Sequence, residues 1–177
     1  MAARQGGYAV AAGSRLAAEA AAEALHAGGN AVDAVVAAAL AACVAEPVLA
    51  SLMGGGFLML RDPRGTTRLL DGFVQTPRRK RPVGETDLRE IVADFGDATQ
   101  TFHIGVGSIA TPGLGAMLAE AHDRAGRIPL RELAAPACAA ARIGTPIEAF
   151  QAKVLGIVCP IYRASPAARA LYLHGED

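Results

Sequence analysis

A chain of 177 residues is one domain's worth of polypeptide and long enough to bury a real core. Over half of it is apolar, yet tryptophan is absent and aromatics make up only 5%, so the core is expected to consist of many small side chains. Seventeen basic and seventeen acidic residues cancel, which removes any global field that would steer the chain to nucleic acid or an anionic membrane.

The opening MAARQGGYAV has no apolar stretch of secretory length, so no signal peptide is read and a cytoplasmic location is expected. Residues 7–12 form a short apolar run and predict a strand. Ser14 is a fair N-cap for a helix through Ala27, with Leu16, Ala20 and Ala24 on one side and Glu19, Glu23 and His26 on the solvated side. His26 falls in the last turn, where the helix dipole favours positive charge. Gly28 and Gly29 end that helix, Asn30 caps the next, and Asp33 adds negative charge to its first turn. From Ala34 to Ala45 nothing is polar beyond Cys43. A helix apolar on every face belongs in a core or a membrane, and Glu46 and Pro47 stop this one well short of the about 20 residues a span needs. A fully buried helix is therefore predicted.

Cys43, Cys138 and Cys159 show neither C-x-x-C nor zinc spacing. Cys43 and Cys138 sit among alanines in helical patterns and read as small hydrophobes; no cationic neighbour lowers a pKa at either position. His103, His122 and His174 offer no metal-ligand spacing, and His122 reads as exposed. No metal and no cofactor is expected.

Three glycines at 54–56 invite a phosphate-loop reading, but they run into the apolar strand 57–60 rather than a helix, and no G-K-[ST] follows. Asp62, Pro63 and Gly65 are turn chemistry, and residues 66–70 return as the second strand of a hairpin. The basic run 78–81, between Pro77 and Pro82, reads as a solvated loop, with contact to an anionic substrate or partner segment as the alternative. Nucleic acid is disfavoured by the neutral balance and the lack of nearby aromatics. Residues 85–101 suggest an excursion with a short strand near Ile91 and Val92. Phe102, Ile104 and Val106 alternate as a strand that Ser108, Ile109 and Ala110 continue. Thr111 and Pro112 predict a helix start, with Leu114, Met117, Leu118 and Ala121 as its buried stripe and Gly126 as its end. Leu130, Leu133, Ala134 and Ala137 repeat the stripe up to Gly144, with a kink or two short helices at Pro136. Thr145 and Pro146 predict one further helix, and Ser165 and Pro166 a last one ending near Leu173. No repeat or low-complexity linker divides the chain, so residues 1–177 read as a single region.

The ordered motifs GGNAVDAVVAAALAACVAEP, LASLMGGGF, LLDGFVQTP and IATPGLGAMLAEAHDRAGRIPLRELAAPACAAARIGTPI resemble the N-terminal region of the gamma-glutamyltransferase (gamma-glutamyltranspeptidase) family. The resemblance implies an α+β fold, the N-terminal portion of an N-terminal nucleophile (Ntn) hydrolase αββα sandwich, mostly helical with a few strands and incomplete. In that family a precursor cleaves itself into large and small subunits. The threonine exposed on the small subunit attacks an amide carbonyl, its own amine acting as base. No residue of this chain matches that nucleophile. Thr66 and Thr67 open a return strand and come too early, so no catalytic residue is assigned.

Two departures from the pattern stand out. Met53 replaces the first glycine of the family's glycine-rich run, and Phe73 stands where typical members carry an arginine that binds the α-carboxylate of the glutamyl group. A guanidinium fork accepts a carboxylate bidentately and a phenyl ring cannot, a loss of about 1.5–3 kcal/mol or more. Phe73, with Gln75 beside it, is the candidate substrate-binding position. The departure implies either a shifted arginine, Arg78 or Arg79, or a pocket retuned to a less polar acyl group.

The expected function is a gamma-glutamyltransferase-like amide hydrolase or acyltransferase, acting on glutathione or related gamma-glutamyl or acyl amides. This stretch would contribute everything but the nucleophile. The alternative is a non-catalytic packing or subunit-association protein derived from the family. Expected partners are an acyl-amide small molecule and either a small subunit or a second copy, with neither nucleic acid nor membrane.

Overall fold

In the computed structural model, which describes residues 7–173, the Ser14 hydroxyl accepts the Ala17 N–H and opens α1 (Arg15–His26). Gly28, at φ +89°, ends that helix in a conformation that other residues adopt only under strain. Asn30 starts α2 (Ala31–Ala45) with a complete capping box: its side chain accepts the Val32 and Asp33 amides, and the Asp33 carboxylate accepts the Asn30 amide. Residues 1–6 and His174 lie outside the described residues.

The chain divides into two compact units, one running up to Val74 and taking in Pro112–Pro146, the other made of Gln75–Thr111 and the residues from Ile147 onward. No shift of composition marks these boundaries. In the first unit, α1 and α2 pack closely through alanines: Ala17, Ala20 and Ala24 meet Val36, Ala37 and Ala41 in one core. The core continues into β1 (Gly56–Arg61) and β2 (Thr67–Gly72), an antiparallel hairpin that sets Leu58 against Leu70 and Phe57 against Asp71. Its inner face lies on α3 (Leu114–Ala125), whose Met117, Leu118 and Ala121 are buried as the periodicity predicts. Two short helices follow, α4 (Leu130–Leu133) and α5 (Ala135–Ile143), with Pro136 in the first turn of α5 where its missing N–H costs nothing.

In the second unit, β3 (Arg89–Asp94) and β4 (Thr99–Ile104) form another antiparallel hairpin. It is accompanied by α6 (Ala149–Arg163), which packs on β3, and by α7 (Pro166–Tyr172), capped by Ser165. Ala93 and Gln151 are the buried residues described in this unit.

Several expectations change. Residues 7–12 form no strand, because no neighbouring strand among the described residues takes up their backbone; Tyr8 is held instead through its hydroxyl on His26. The second strand of the later hairpin ends at Ile104: Gly105 turns at φ +106° and residues 106–108 wind into a 3₁₀ turn, so Val106 is not in a strand. Thr111 does not cap a helix. Its N–H and C=O both bond to Gln75, and α3 begins after Gly113. Likewise Thr145 and Pro146 precede the helix rather than start it, since α6 begins at Ala149.

The α2 helix is covered rather than wrapped. Val32, Ala34, Val36, Ala37, Ala41 and Ala45 are buried, but Val35 is exposed and Ala38, Ala39, Ala42 and Cys43 are half-buried along one side. His122 is not exposed either: its Nε2–H donates to the Ile128 carbonyl at 2.7 Å. Cys138 lies on an exposed face of α5, whereas Cys43 and Cys159 are half-buried. No helix among the described residues is long and apolar enough to cross a membrane.

Candidate functional site

The triple glycine works through its carbonyl and its lack of side chains. The Gly54 carbonyl accepts the Gly113 and Leu114 amides, each at 3.1 Å, and so satisfies donors left unpaired at the start of α3. A Cβ on Gly55 would lie 2.6 Å from the Val74 nitrogen, and one on Gly72 would lie 2.6 Å from Met117 Cβ. A Cβ on Gly113 would collide with the Gly72 carbonyl oxygen. These glycines allow the end of β2 and the start of α3 to touch, and with the Gly113 and Leu114 amides taken by the Gly54 carbonyl the cluster does not read as a phosphate cradle. They hold the exit of β2, where Phe73 follows Gly72.

There the Asp71 Oδ1 accepts the Phe73 N–H at 2.9 Å, which fixes the backbone that presents the ring. The Phe73 ring stacks on Phe57, centroids 5.5 Å apart and planes 9° from parallel, within the range of an offset aromatic pair. Both rings face water, 52% and 60% exposed. Phe57 was legible only as a strand residue. The signal that finds it is the hairpin register, which sets it opposite Asp71 and on the outer face. Met59 and Leu69, paired with each other, continue that face and are also exposed. Asp71 makes no ion pair among the described residues.

Gln75, the second candidate position, belongs to the other unit, where it forms a β-bridge with Thr111. The basic run lies there too. Arg79, Lys80 and Arg81 line a cleft of about 510 Å³ together with Glu85 and Asp87, whose carboxylates offset the positive charge. Among the described residues no cluster of His, Cys, Asp and Glu could hold a metal ion.

Two further features lie beside the core of the first unit. A cleft of about 430 Å³ runs along α2, lined by Ala39, Ala42, Cys43, Pro47, Leu49 and Leu114. Burial, with the nearby charge of Glu46, raises the Cys43 pKa, so its thiol stays protonated and inert. Asp33 is fully buried and does more than cap α2: its Oδ1 also accepts the Arg127 and Ile128 amides at 2.9 and 3.2 Å. Burial alone would raise its pKa, but the amides of Asn30, Arg127 and Ile128, with His122 close by, outweigh it and the net shift is downward.

This mixed arrangement of helices and strands matches Ntn-hydrolase gamma-glutamyltranspeptidase structures over about half of their length. The gamma-glutamyltranspeptidase family model matches residues 17–177, and the chain belongs to that family. It is 30% identical over 165 residues to an acylase ACY 1 proenzyme of a Pseudomonas species, covering 90% of this chain and 29% of that protein. To the glutathione hydrolase proenzyme of Bacillus subtilis it is 33% identical over 142 residues, 79% of this chain and 23% of that one. The gamma-glutamyltranspeptidase from Pseudomonas nitroreducens complexed with L-DON superposes with a TM-score of 0.69 at 32% identity, covering 96% of this chain and 46% of that one. The chain thus spans under a third of the length of these curated relatives and about half of the structural one. Both curated relatives are proenzymes, precursors by name.

Proposed function

We propose that this chain forms part of an amide hydrolase or acyltransferase of the gamma-glutamyltranspeptidase type, supplying one wall of the acyl-group site through Phe73, while the reacting hydroxyl comes from elsewhere. The observation that carries the reading is a phenyl ring, held by Asp71 and stacked on Phe57, and the resemblance of the LLDGFVQTP motif to the family supports taking it as the counterpart of a carboxylate-binding arginine. A ring there cannot pair with the α-carboxylate of a glutamyl group, so the favoured donor is a less polar acyl amide.

Two assays test the reading. The 177-residue chain alone should not cleave glutathione or acyl anilides, and turnover by it would place a nucleophile within these residues. Phe73→Arg should raise the chain's affinity for gamma-glutamyl amides by about tenfold, the worth of one charge-assisted hydrogen bond. No gain would remove Phe73 from the acyl site.

The exposed outer face of Phe57, Met59 and Leu69, on a hairpin whose two edges are unpaired among the described residues, favours a second reading, subunit association without catalysis. The partner is then a small subunit or a second copy. A purified chain that remains monomeric at high concentration counts against it.

A further inference from the structure

We infer that Phe57 and Phe73 together form an aromatic platform for the flat, uncharged ring of an aryl acyl group, and that Asp71 beside them turns away acyl groups carrying a carboxylate. The inference rests on the reading of Phe73 as an acyl-site residue and names the substrate class of that site. Three observations carry it. The rings are nearly parallel, 9° apart with centroids at 5.5 Å, so they form an offset stack whose outer π-face is presented flat rather than edge-on. A third ring adds to such a surface by the same offset stacking. Both rings are more than half exposed, so the surface is open to a ligand. Asp71, opposite Phe57 in the hairpin register and bonded to the Phe73 amide, puts a carboxylate with no cationic partner among the described residues on that face. Where the family's arginine would set a positive charge, this chain sets an apolar surface beside a negative one. A glutamyl group that turns its α-carboxylate to this face meets repulsion there, and an uncharged phenylacetyl-like group meets none.

Phe57 is thereby a specificity-determining residue. Its side chain is exposed, so replacing it leaves the core intact, and a thermal melt verifies this for each variant. The test is ligand-observed saturation-transfer NMR on the 177-residue chain with three amides: phenylacetamide, isobutyramide and L-glutamine. Phenylacetamide should bind best, with saturation strongest at its ring protons, and L-glutamine should not displace it. Phe57→Ala should weaken phenylacetamide by about fivefold while Phe57→Tyr keeps it, as a stacking contact requires. Phe73→Arg should reverse the preference toward L-glutamine. Absence of phenylacetamide binding, or binding no tighter than isobutyramide, overturns the inference. If Phe73→Arg gains L-glutamine while Phe57→Ala leaves phenylacetamide unchanged, the platform is overturned and the acyl-site reading of Phe73 stands. If no substitution at residue 73 alters the binding of any amide, both fall.

Discussion

At the start of α2 a carboxylate, Asp33, is wholly shielded from water, while on the outer face of the β1–β2 hairpin Phe57, Met59, Leu69 and Phe73 are all more than half exposed. Hydrophobicity alone would order these residues the other way. Asp33 is buried because three backbone amides and a neighbouring imidazole replace the water it gives up. The aromatic face is exposed because α3 covers only the opposite side of the hairpin. Burial in this chain follows the supply of partners, and a large apolar face left open marks a surface for something else to occupy.

The sharpest way to break that contrast is Asp33→Ala. It strands the amides of Asn30, Arg127 and Ile128, and we expect a loss of about 3 kcal/mol in urea denaturation, with an unchanged slope. A loss below about 1 kcal/mol would mean that water reaches those amides and the carboxylate is not the tie it looks to be. Gly113→Ala ranks next, at about 1–3 kcal/mol, because the new methyl meets the Gly72 carbonyl oxygen and forces β2 and α3 apart.

The pH dependence has a definite sign. The Asp33 pKa is lowered in the folded state, so its contribution is fully present above the ordinary carboxylate value of about 3.9 and is lost as pH falls through the lower folded value. Asp33→Asn should flatten the acid limb of a melting-temperature profile, and an acid limb identical to the parent's would assign the effect to other carboxylates. On the open face the expected stability change is small. Met59→Lys and Leu69→Lys should shift stability by about 0.5 kcal/mol or less, yet should reduce self-association in light scattering, and unchanged scattering would clear that face of any role in association. Smallest is a difference in thiol alkylation rate: exposed Cys138 should react before Cys43, whose thiol is held protonated by burial and by Glu46.

Much of the first unit was legible from local chemistry. The caps at Ser14 and Asn30, the stop at Gly28, the 57–60 and 66–70 hairpin and the break at Pro136 each depend on residues a few positions apart. Residues 7–12 and Thr111 misled for a common reason: a strand needs a neighbour, and a capping threonine is free to cap only if its backbone is not already paired. Val106 misled because Gly105, at positive φ, turned the chain out of an alternation that continued past it. At the candidate site, Phe73 could be singled out from its motif, but its partner Phe57 could not, because sixteen residues separate the two rings and a hairpin register unites them.

Taken alone, the sequence settled the family, the caps at Ser14 and Asn30 and the hairpin, since each is carried by residues near one another in the chain or by an ordered series of motifs. Tertiary structure alone decided that Asp33 ties down residues 127 and 128, that the glycines serve a helix start rather than a phosphate, and that two phenyl rings share one exposed face. Those outcomes depend on which groups from distant parts of the chain meet, and a buried charge or an open aromatic surface exists only once they have met.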